Sequence, residues 1–317
     1  MLTYIIKRCV MAVFTLLVLI TIIFVLVRLL PGDPFVSEKT NEAIRQSMIR
    51  YHGFDRPIYE QWLKYVGNLI RGDLGISLKY LGRSVNDAIA ATFPYSADLG
   101  IRALAFALAA GLFLGIVAAQ RAGRALDYIC IFIAIIGVSA PEFVVGTLIQ
   151  LGFSIKLKWF PATQWLSWRH MILPVFALGL HTLAIIARLT RTSMMEVINQ
   201  DYILTARAKG LSNFQVIWRH QIRNSILPII TIMGPLVAAV LTGTFVLERI
   251  FAIPGMGRFY VQSINDLDYT MVLGMSAFYG VFLVTANLVV DILYGIVDPR
   301  IKLAEKKISM SDFEEAE

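Results

Sequence analysis

Charge is scarce in this sequence: only 16% of its 317 residues are Asp, Glu, Lys or Arg, against about 25% in soluble domains. With 57% hydrophobic residues, a water-soluble fold is excluded and a membrane protein is indicated. Cysteine is nearly absent. Cys9 and Cys130 both lie in apolar segments, which excludes a disulfide framework and a cysteine-based metal site. The four histidines, His52, His170, His181 and His220, are scattered, with no HExxH and no i,i+4 pair. There is no GxxxxGK[ST] loop to cradle ATP phosphates and no G-x-S-x-G elbow to present a nucleophile. Catalytic machinery is therefore not expected, and neither is a metal site. Repeats and low-complexity stretches are also lacking. The net charge of +7 is dispersed between apolar runs, so it argues for membrane topology rather than nucleic-acid binding.

What is present is a series of apolar segments long enough to cross a bilayer core of about 30 Å. Six are expected, at Cys9–Leu30, Leu99–Ala119, Tyr128–Phe153, Met171–Ala187, Ile226–Leu247 and Val272–Val297. The first is too long for a signal-peptide core and lacks a cleavage site, so it reads as a retained span. Lys and Arg concentrate at the N-terminus, after the second span, between the fourth and fifth, and after the sixth. The positive-inside rule then puts those loops and both termini in the cytoplasm. Residues 31–95 form a polar insert on the opposite side, with eight basic and seven acidic residues. Its near-balanced charge predicts a folded unit with helices at Ser37–Tyr51 and Pro57–Arg71. In the second, Ile58, Trp62, Tyr65 and Leu69 share one face. A third helix, capped by Ser84, is expected to end before Pro94. The domain reading is thus 1–30 for the first span, 31–95 for the insert and 96–303 for the core. The tail at 304–317 is charged and expected to be disordered.

Ionisable residues at membrane depth are costly and often functional. Glu142 follows Pro141 inside the third apolar segment. Two readings stay open: it lines an aqueous path beside a proline kink, or it pairs with Arg102 or a partner subunit and only holds helices together. His181 is expected to be an interhelical histidine, and Asp291 to be structural. The fifth segment carries Gly234, Pro235, Thr242, Gly243 and Thr244, small residues that allow close packing or a narrow pore wall. The loop after it, Glu248–Asp268, either dips back as a gate or meets an external partner.

The most informative stretch is Asp201–Pro228, DYILTARAKGLSNFQVIWRHQIRNSILP. Tyr202–Lys209 predicts a short helix stopped by Gly210, where glycine enters the left-handed region cheaply. Ser212 and Gln215 then fit a capping box for a second helix, with Phe214, Ile217, Trp218 and Ile222 on one face and Arg219 and Arg223 carrying charge. Two helices meeting at a glycine make a firm knuckle, which on composition alone also suits the lipid headgroups.

The wording TARAKGL, followed by Arg223, Asn224, Leu227 and Pro228, resembles the cytoplasmic coupling loop of ABC-importer permeases of the peptide and nickel branch. The start MLTYIIKR, PGDPF at Pro31–Phe35, GDLGIS at Gly72–Ser77 and DILYGIVDPRI at Asp291–Ile301 extend the likeness over nearly the whole chain. Leu204 stands where many permeases have a glutamate, and the Gly210-to-Pro228 interval is longer than in sugar or amino-acid permeases; both features suit the peptide branch. The resemblance implies an all-α membrane fold of type I importers with six transmembrane helices. It places Thr205, Ala206, Arg207, Ala208, Lys209, Gly210 and Leu211, within a cytoplasmic loop spanning 188–226, against a separate ATPase. In the resembled family the fifth span, here with Thr242, Gly243 and Thr244, lines the translocation path. Glu142 is a path candidate by its depth alone, and Glu248 and Arg249 open the loop read as a gate or binding-protein contact. The resemblance also implies a multi-pass protein of the cytoplasmic (inner) membrane, embedded in the lipid bilayer. The implied partners are a second permease, two ATPase subunits and an extracytoplasmic solute-binding protein. No cofactor is expected on this chain, since ATP and Mg belong to the ATPases. Oligopeptides are the expected cargo on the resemblance of PGDPF, Lys79–Tyr80 and Ser84–Asp87. Dipeptide, glutathione or nickel import is the alternative, and a stand-alone secondary transporter is a remote one.

Overall fold

The computed structural model describes residues 2–29, 31, 34–35, 42–80, 82–241 and 245–297, which form helices and connecting turns with no strand element among them. The first helix, α1 (Leu2–Leu29), runs 28 residues without a glycine or proline, about 42 Å at 1.5 Å per residue. Thr15 and Thr21 donate their hydroxyls to the Met11 and Leu17 carbonyls at 2.8 and 2.7 Å, so neither polar group is left orphaned in a lipid environment.

The insert supplies α2 (Glu42–His52) and α3 (Ile58–Ile70). Positions 36–41, where the first insert helix was expected to start, lie outside the described residues. α4 (Val85–Gln120) opens at Ser84, whose hydroxyl accepts the Asp87 N–H at 3.0 Å. The helix does not end before Pro94 as expected; it continues for 36 residues and merges the third insert helix with the second span. A proline inside a helix costs about 3 kcal/mol. Here the adjoining turn is anchored by Phe93, whose ring meets Phe278 and Phe282 at centroid distances of 5.0 and 5.4 Å.

The segment expected as a third continuous span is broken. α5 (Ala125–Ser139) and α6 (Glu142–Ile149, continuing as a π-helical turn over Gln150–Lys156) meet at an angle of 108° across Ala140–Pro141. Pro141 cannot donate to the helical ladder, and Ala140 before it is extended at ψ 124°, as residues preceding proline tend to be. α7 (Trp168–Ile198) is 31 residues long. After the loop helices described below come α11 (Leu227–Leu241), α12 (Phe245–Ile250), α13 (Met256–Asn265) and α14 (Tyr269–Val297). Among the described residues four helices are long and apolar enough to cross a membrane alone, and the bent α5–α6 pair makes a fifth when taken as one span. α11, with 15 residues, reaches about 22 Å, short of the hydrocarbon core on its own.

The α4–α7 pair is the centre of the molecule. Gly111 and Gly115 stand one turn apart on α4, and a Cβ at Gly115 would lie 2.5 Å from the Thr190 Cβ and 2.7 Å from the Ala187 carbonyl. On the opposite side of the same seam, a Cβ at Gly179 would meet the Ala103 carbonyl at 2.9 Å. The two backbones are in contact because these side chains are missing, as small-residue seams in membranes require. Leu99, Ala103, Leu173, Ala177 and Leu178 continue the seam and receive Leu247, Phe251 and Ile253 from the outer loop.

Candidate coupling loop and translocation elements

The sequence Asp201–Pro228 folds as a knuckle. α8 (Asp201–Ala208) ends at Lys209, and Gly210 follows at φ +79°. Gly210 donates to the Arg207 carbonyl at 2.9 Å and Leu211 to the Ala206 carbonyl at 3.4 Å. This is the 5→2 and 6→1 pair of a Schellman motif, and Leu211 packs beside Ala206 in one small cluster with Ile203, Val216 and Val197. The capping box is complete: Ser212 N–H donates to Gln215 Oε1 at 3.0 Å and Gln215 N–H to Ser212 Oγ at 3.4 Å. It opens α9 (Asn213–Val216), which runs through a π-helical turn, Ile217–Ile222, into α10 (Arg223–Ser225).

Of the expected docking residues, Thr205, Arg207, Ala208, Lys209 and Gly210 are exposed, whereas Ala206 is buried and Leu211 half-buried. On the second helix Phe214 and Trp218 do share a face, as their spacing predicts, and that face is turned outward. Phe214 and Trp218 are 69% and 57% exposed, with their rings 6.0 Å apart, and Val216 and Gln221 take the inner face instead. The wider π turn at Ile217–Ile222 shifts the side-chain register that a regular helix would have kept.

Two ties, neither visible as a motif, join the knuckle to the bundle, and a third joins α7 to α5. Gln120, the last residue of α4, donates to Gln221, which is fully buried. Ser193 of α7 donates to the Ser225 carbonyl at 2.9 Å. Arg191 of α7 grips Asp127 of α5 with two bonds of 2.6 and 2.8 Å, and Asp127 also accepts the Gly123 N–H at 2.9 Å. The knuckle is therefore hydrogen-bonded to α4 and α7, and α7 to α5. Sequence spacing carried no hint of these contacts beyond the presence of polar residues at helix ends. Asp127→Ala leaves Arg191 without its partner and is expected to cost about 1–3 kcal/mol, read as a lowered Tm of the purified protein. Adding Arg191→Met should recover most of that loss, because an apolar replacement needs no partner. A Tm unchanged by Asp127→Ala would show that the ion pair carries no such weight.

Glu142 opens α6 at the 108° break, is half-buried, and has no hydrogen-bond or ion-pair partner among the described residues. The expected Arg102 pairing does not form. Arg102 bonds Asp98 one turn away at 2.7 Å, where the shorter reach wins. His181 of α7 does bridge helices, its Nδ1 lying 3.3 Å from the Gly137 carbonyl. Thr242, Gly243 and Thr244 lie outside the described residues, as does the side chain of Asp291.

The outer loop is held by two buried carboxylates. Glu248, expected at a gate or partner contact, is fully buried and so presents nothing to a partner here; Arg249 beside it is exposed. Glu248 accepts the Ser96 hydroxyl at 2.6 Å and the Arg258 N–H at 3.0 Å, and Ser96 in turn accepts the Met256 N–H at 2.8 Å. The carboxyl thus caps the N-terminus of α13, where the helix dipole favours negative charge, and locks that helix to α4. A Cβ at Gly255 would sit 2.5 Å from the Glu248 carboxyl, so the close approach requires a glycine. Asp268 does the same for α14: it accepts the Met271 and Leu78 N–H groups, both at 3.1 Å, and the Ser77 hydroxyl. The loop is stapled to α4 at one end and to the insert at the other.

These elements define a class: an all-α, multi-pass membrane protein with a long-helix core, a pinned loop between α11 and α14 and a rigid exposed knuckle. The backbone aligns at TM-score 0.52 with the crystal structure of an amino acid ABC transporter with histidines, at 16% identity over 65% of this chain and 92% of that one, so the two share a fold. Residues 111–303 match the family described as binding-protein-dependent transport system inner membrane component, and residues 1–97 its N-terminal companion. The chain belongs to this family of transport permeases. It is 47% identical over 304 residues to the dipeptide transport system permease protein DppB of Bacillus subtilis, covering 96% of this chain and 99% of that one. It is 42% identical over 306 residues to the oligopeptide transport system permease protein OppB of Haemophilus influenzae, covering 95% and 100%.

Proposed function

We propose that this chain is one of two permease subunits of an ATP-driven importer that takes up oligopeptides delivered by an external solute-binding protein. Family membership and relatives named for peptide transport support the class of cargo. The observation that carries the mechanism is the Gly210 knuckle, exposed at its tip and bonded to α4 and α7 at its base. In this reading two separate ATPase subunits bind ATP and Mg, close on one another, and draw this knuckle toward its counterpart on the second permease. The ties through Gln221, Ser225 and Asp127 convert that motion into rotation of the helix bundle between two packed states, giving alternating access. Hydrolysis resets the bundle. The termini and knuckle face the cytoplasm, the insert and the stapled loop face the binding protein, and the path runs past the fifth span and Glu142.

A dipeptide importer is the second reading, favoured by the higher identity to the dipeptide permease. Uptake of labelled tetrapeptide and dipeptide by cells deleted for this chain separates the two. Loss of tetrapeptide uptake by at least tenfold, restored by the intact gene, is the expected result. Loss confined to the dipeptide would move the assignment to the second reading, and loss of neither would overturn peptide import.

A further inference from the structure

The insert holds a feature that transport leaves unused. α3 lies along the last two turns of α1: Trp62 Nε1 donates to Thr21 Oγ1 at 3.2 Å, and Arg28 donates to Gln61 Oε1 at 2.6 Å. Thr21 and Arg28 are separated by about 10 Å along the helix axis, so α3 sits beside the end of a membrane span rather than out in bulk water. Its inner face, Trp62, Tyr65 and Leu69, packs against the buried clusters around α1 and α14. The face beside it, about 100° round the helix, carries Tyr59, Leu63 and Ile70, which are 64%, 59% and 81% exposed. At 3.6 residues per turn these three fall within about 40° of one another. The apolar stripe of α3 is thus wider than the protein covers, and its uncovered edge suits another apolar phase. The neighbouring turns of α1 expose Val25, Leu26 and Leu29, so both helices present apolar side chains at this end of the span.

Behind α3 is a cavity of about 250 Å³, floored by Phe24, Phe54 and Leu273. The Arg28 guanidinium reaches into this region 3.6 Å above the Phe24 ring. Among the described residues it has no carboxylate partner, and its Nε is buried without an acceptor. The Tyr65 hydroxyl, lining the same cavity, is likewise buried and unpartnered. Burial holds that phenol above its ordinary range, so it remains a neutral donor. Arg56 and Lys64 add positive charge to the lining against Glu60 and Asp73, and Asp73 is already occupied by the Gly75 N–H at 2.9 Å. Two orphaned donors and a net positive wall call for an oxyanion, because an unmet buried donor is costly and charge-assisted bonds to phosphate are strong.

We propose that this cavity holds the phosphate of one membrane phospholipid, with Arg28 and Tyr65 donating to its oxygens. Its acyl chains lie on the exposed apolar side chains of α3 and α1. That surface distinguishes a lipid from a free anion, which would make no use of it. α3 is then an interfacial helix that seats the insert on the leaflet at the Arg28 end of α1.

Native mass spectrometry of the full-length chain, purified in mild detergent, tests this. Wild type should retain one phospholipid, and Arg28→Gln and Tyr65→Phe should each reduce the retained fraction at least fivefold. Tyr65→Phe keeps the ring and its packing, so it reports on the hydroxyl even where Arg28→Gln fails to fold. Delipidated wild type should be stabilised by dihexanoyl phosphatidylglycerol and not by inorganic phosphate at the same concentration. Absence of the adduct, equal retention by wild type and Tyr65→Phe, or equal stabilisation by inorganic phosphate would overturn the proposal.

Discussion

Gly115→Leu is expected to remove the protein from the membrane almost completely. The added side chain would begin 2.7 Å from the Ala187 carbonyl and 2.5 Å from the Thr190 Cβ. A flexible side chain yields to such a contact, but a backbone carbonyl in the middle of a 31-residue helix does not. α7 would have to move away from α4 along its length, breaking the contacts of Leu99, Ala103, Leu173 and Ala177 on the same seam. Overpacking of one methylene typically costs 1–3 kcal/mol, and leucine adds several, so a loss of roughly 3 kcal/mol or more is expected. Immunoblotting of membranes should show less than about a tenth of the wild-type level, consistent with degradation of an unfolded fraction that grows tenfold per 1.4 kcal/mol. Gly67→Ala is the matched control. Gly67 also sits in a helix, but nothing lies within 4 Å of its added Cβ, so alanine should be neutral or stabilise by about 0.5–1 kcal/mol. Equal abundance of Gly115→Leu and Gly67→Ala would refute the backbone-contact account of the seam.

Gly210→Pro is expected to abolish peptide uptake while leaving the chain in the membrane. Proline fixes φ near −65°, whereas Gly210 is at +79° and uses its N–H to close the Schellman motif onto Arg207. Both requirements fail together, and the path from α8 to α9 is redirected. Gly210→Ala separates conformation from bulk. No atom lies within 4 Å of a Cβ there, so only the left-handed conformation is penalised, by about 1–2 kcal/mol. The alanine variant should keep at least a third of wild-type uptake and the proline variant less than a hundredth, at equal membrane abundance. If proline transports as well as alanine, the shape of the knuckle does not matter to coupling.

The parts of the molecule legible in sequence were those settled within a few residues. The Gly210 stop and the Ser212–Gln215 box are four-residue affairs, and both form as spacing predicts. The apolar runs announced α1, α7 and α14 for the same reason, since a span is a local property of composition. What failed depended on distant partners. The helix through Pro94 is carried by Phe93 against Phe278 and Phe282, residues far along the chain. Pro141 signalled a kink, but a 108° break is a matter of what α6 packs on, including Leu247 and Phe251 against Gly146. Glu248 looked like an exposed loop acid because its partner, Ser96, stands 152 residues earlier. Spacing put Phe214 and Trp218 on one face, but which way that face turns depends on Gln221, which Gln120 of α4 holds on the inner side.

The central claim is that the Gly210 knuckle joins this permease to its ATPases. Affinity purification of the tagged chain from native membranes, followed by mass spectrometry of what comes with it, tests that claim most directly when wild type and Gly210→Pro are compared. The account predicts that wild type brings down a second permease and ATPase subunits, and that the proline variant keeps the permease but loses the ATPases. Recovery of the same ATPases with the proline variant, or of wild type alone, would contradict it.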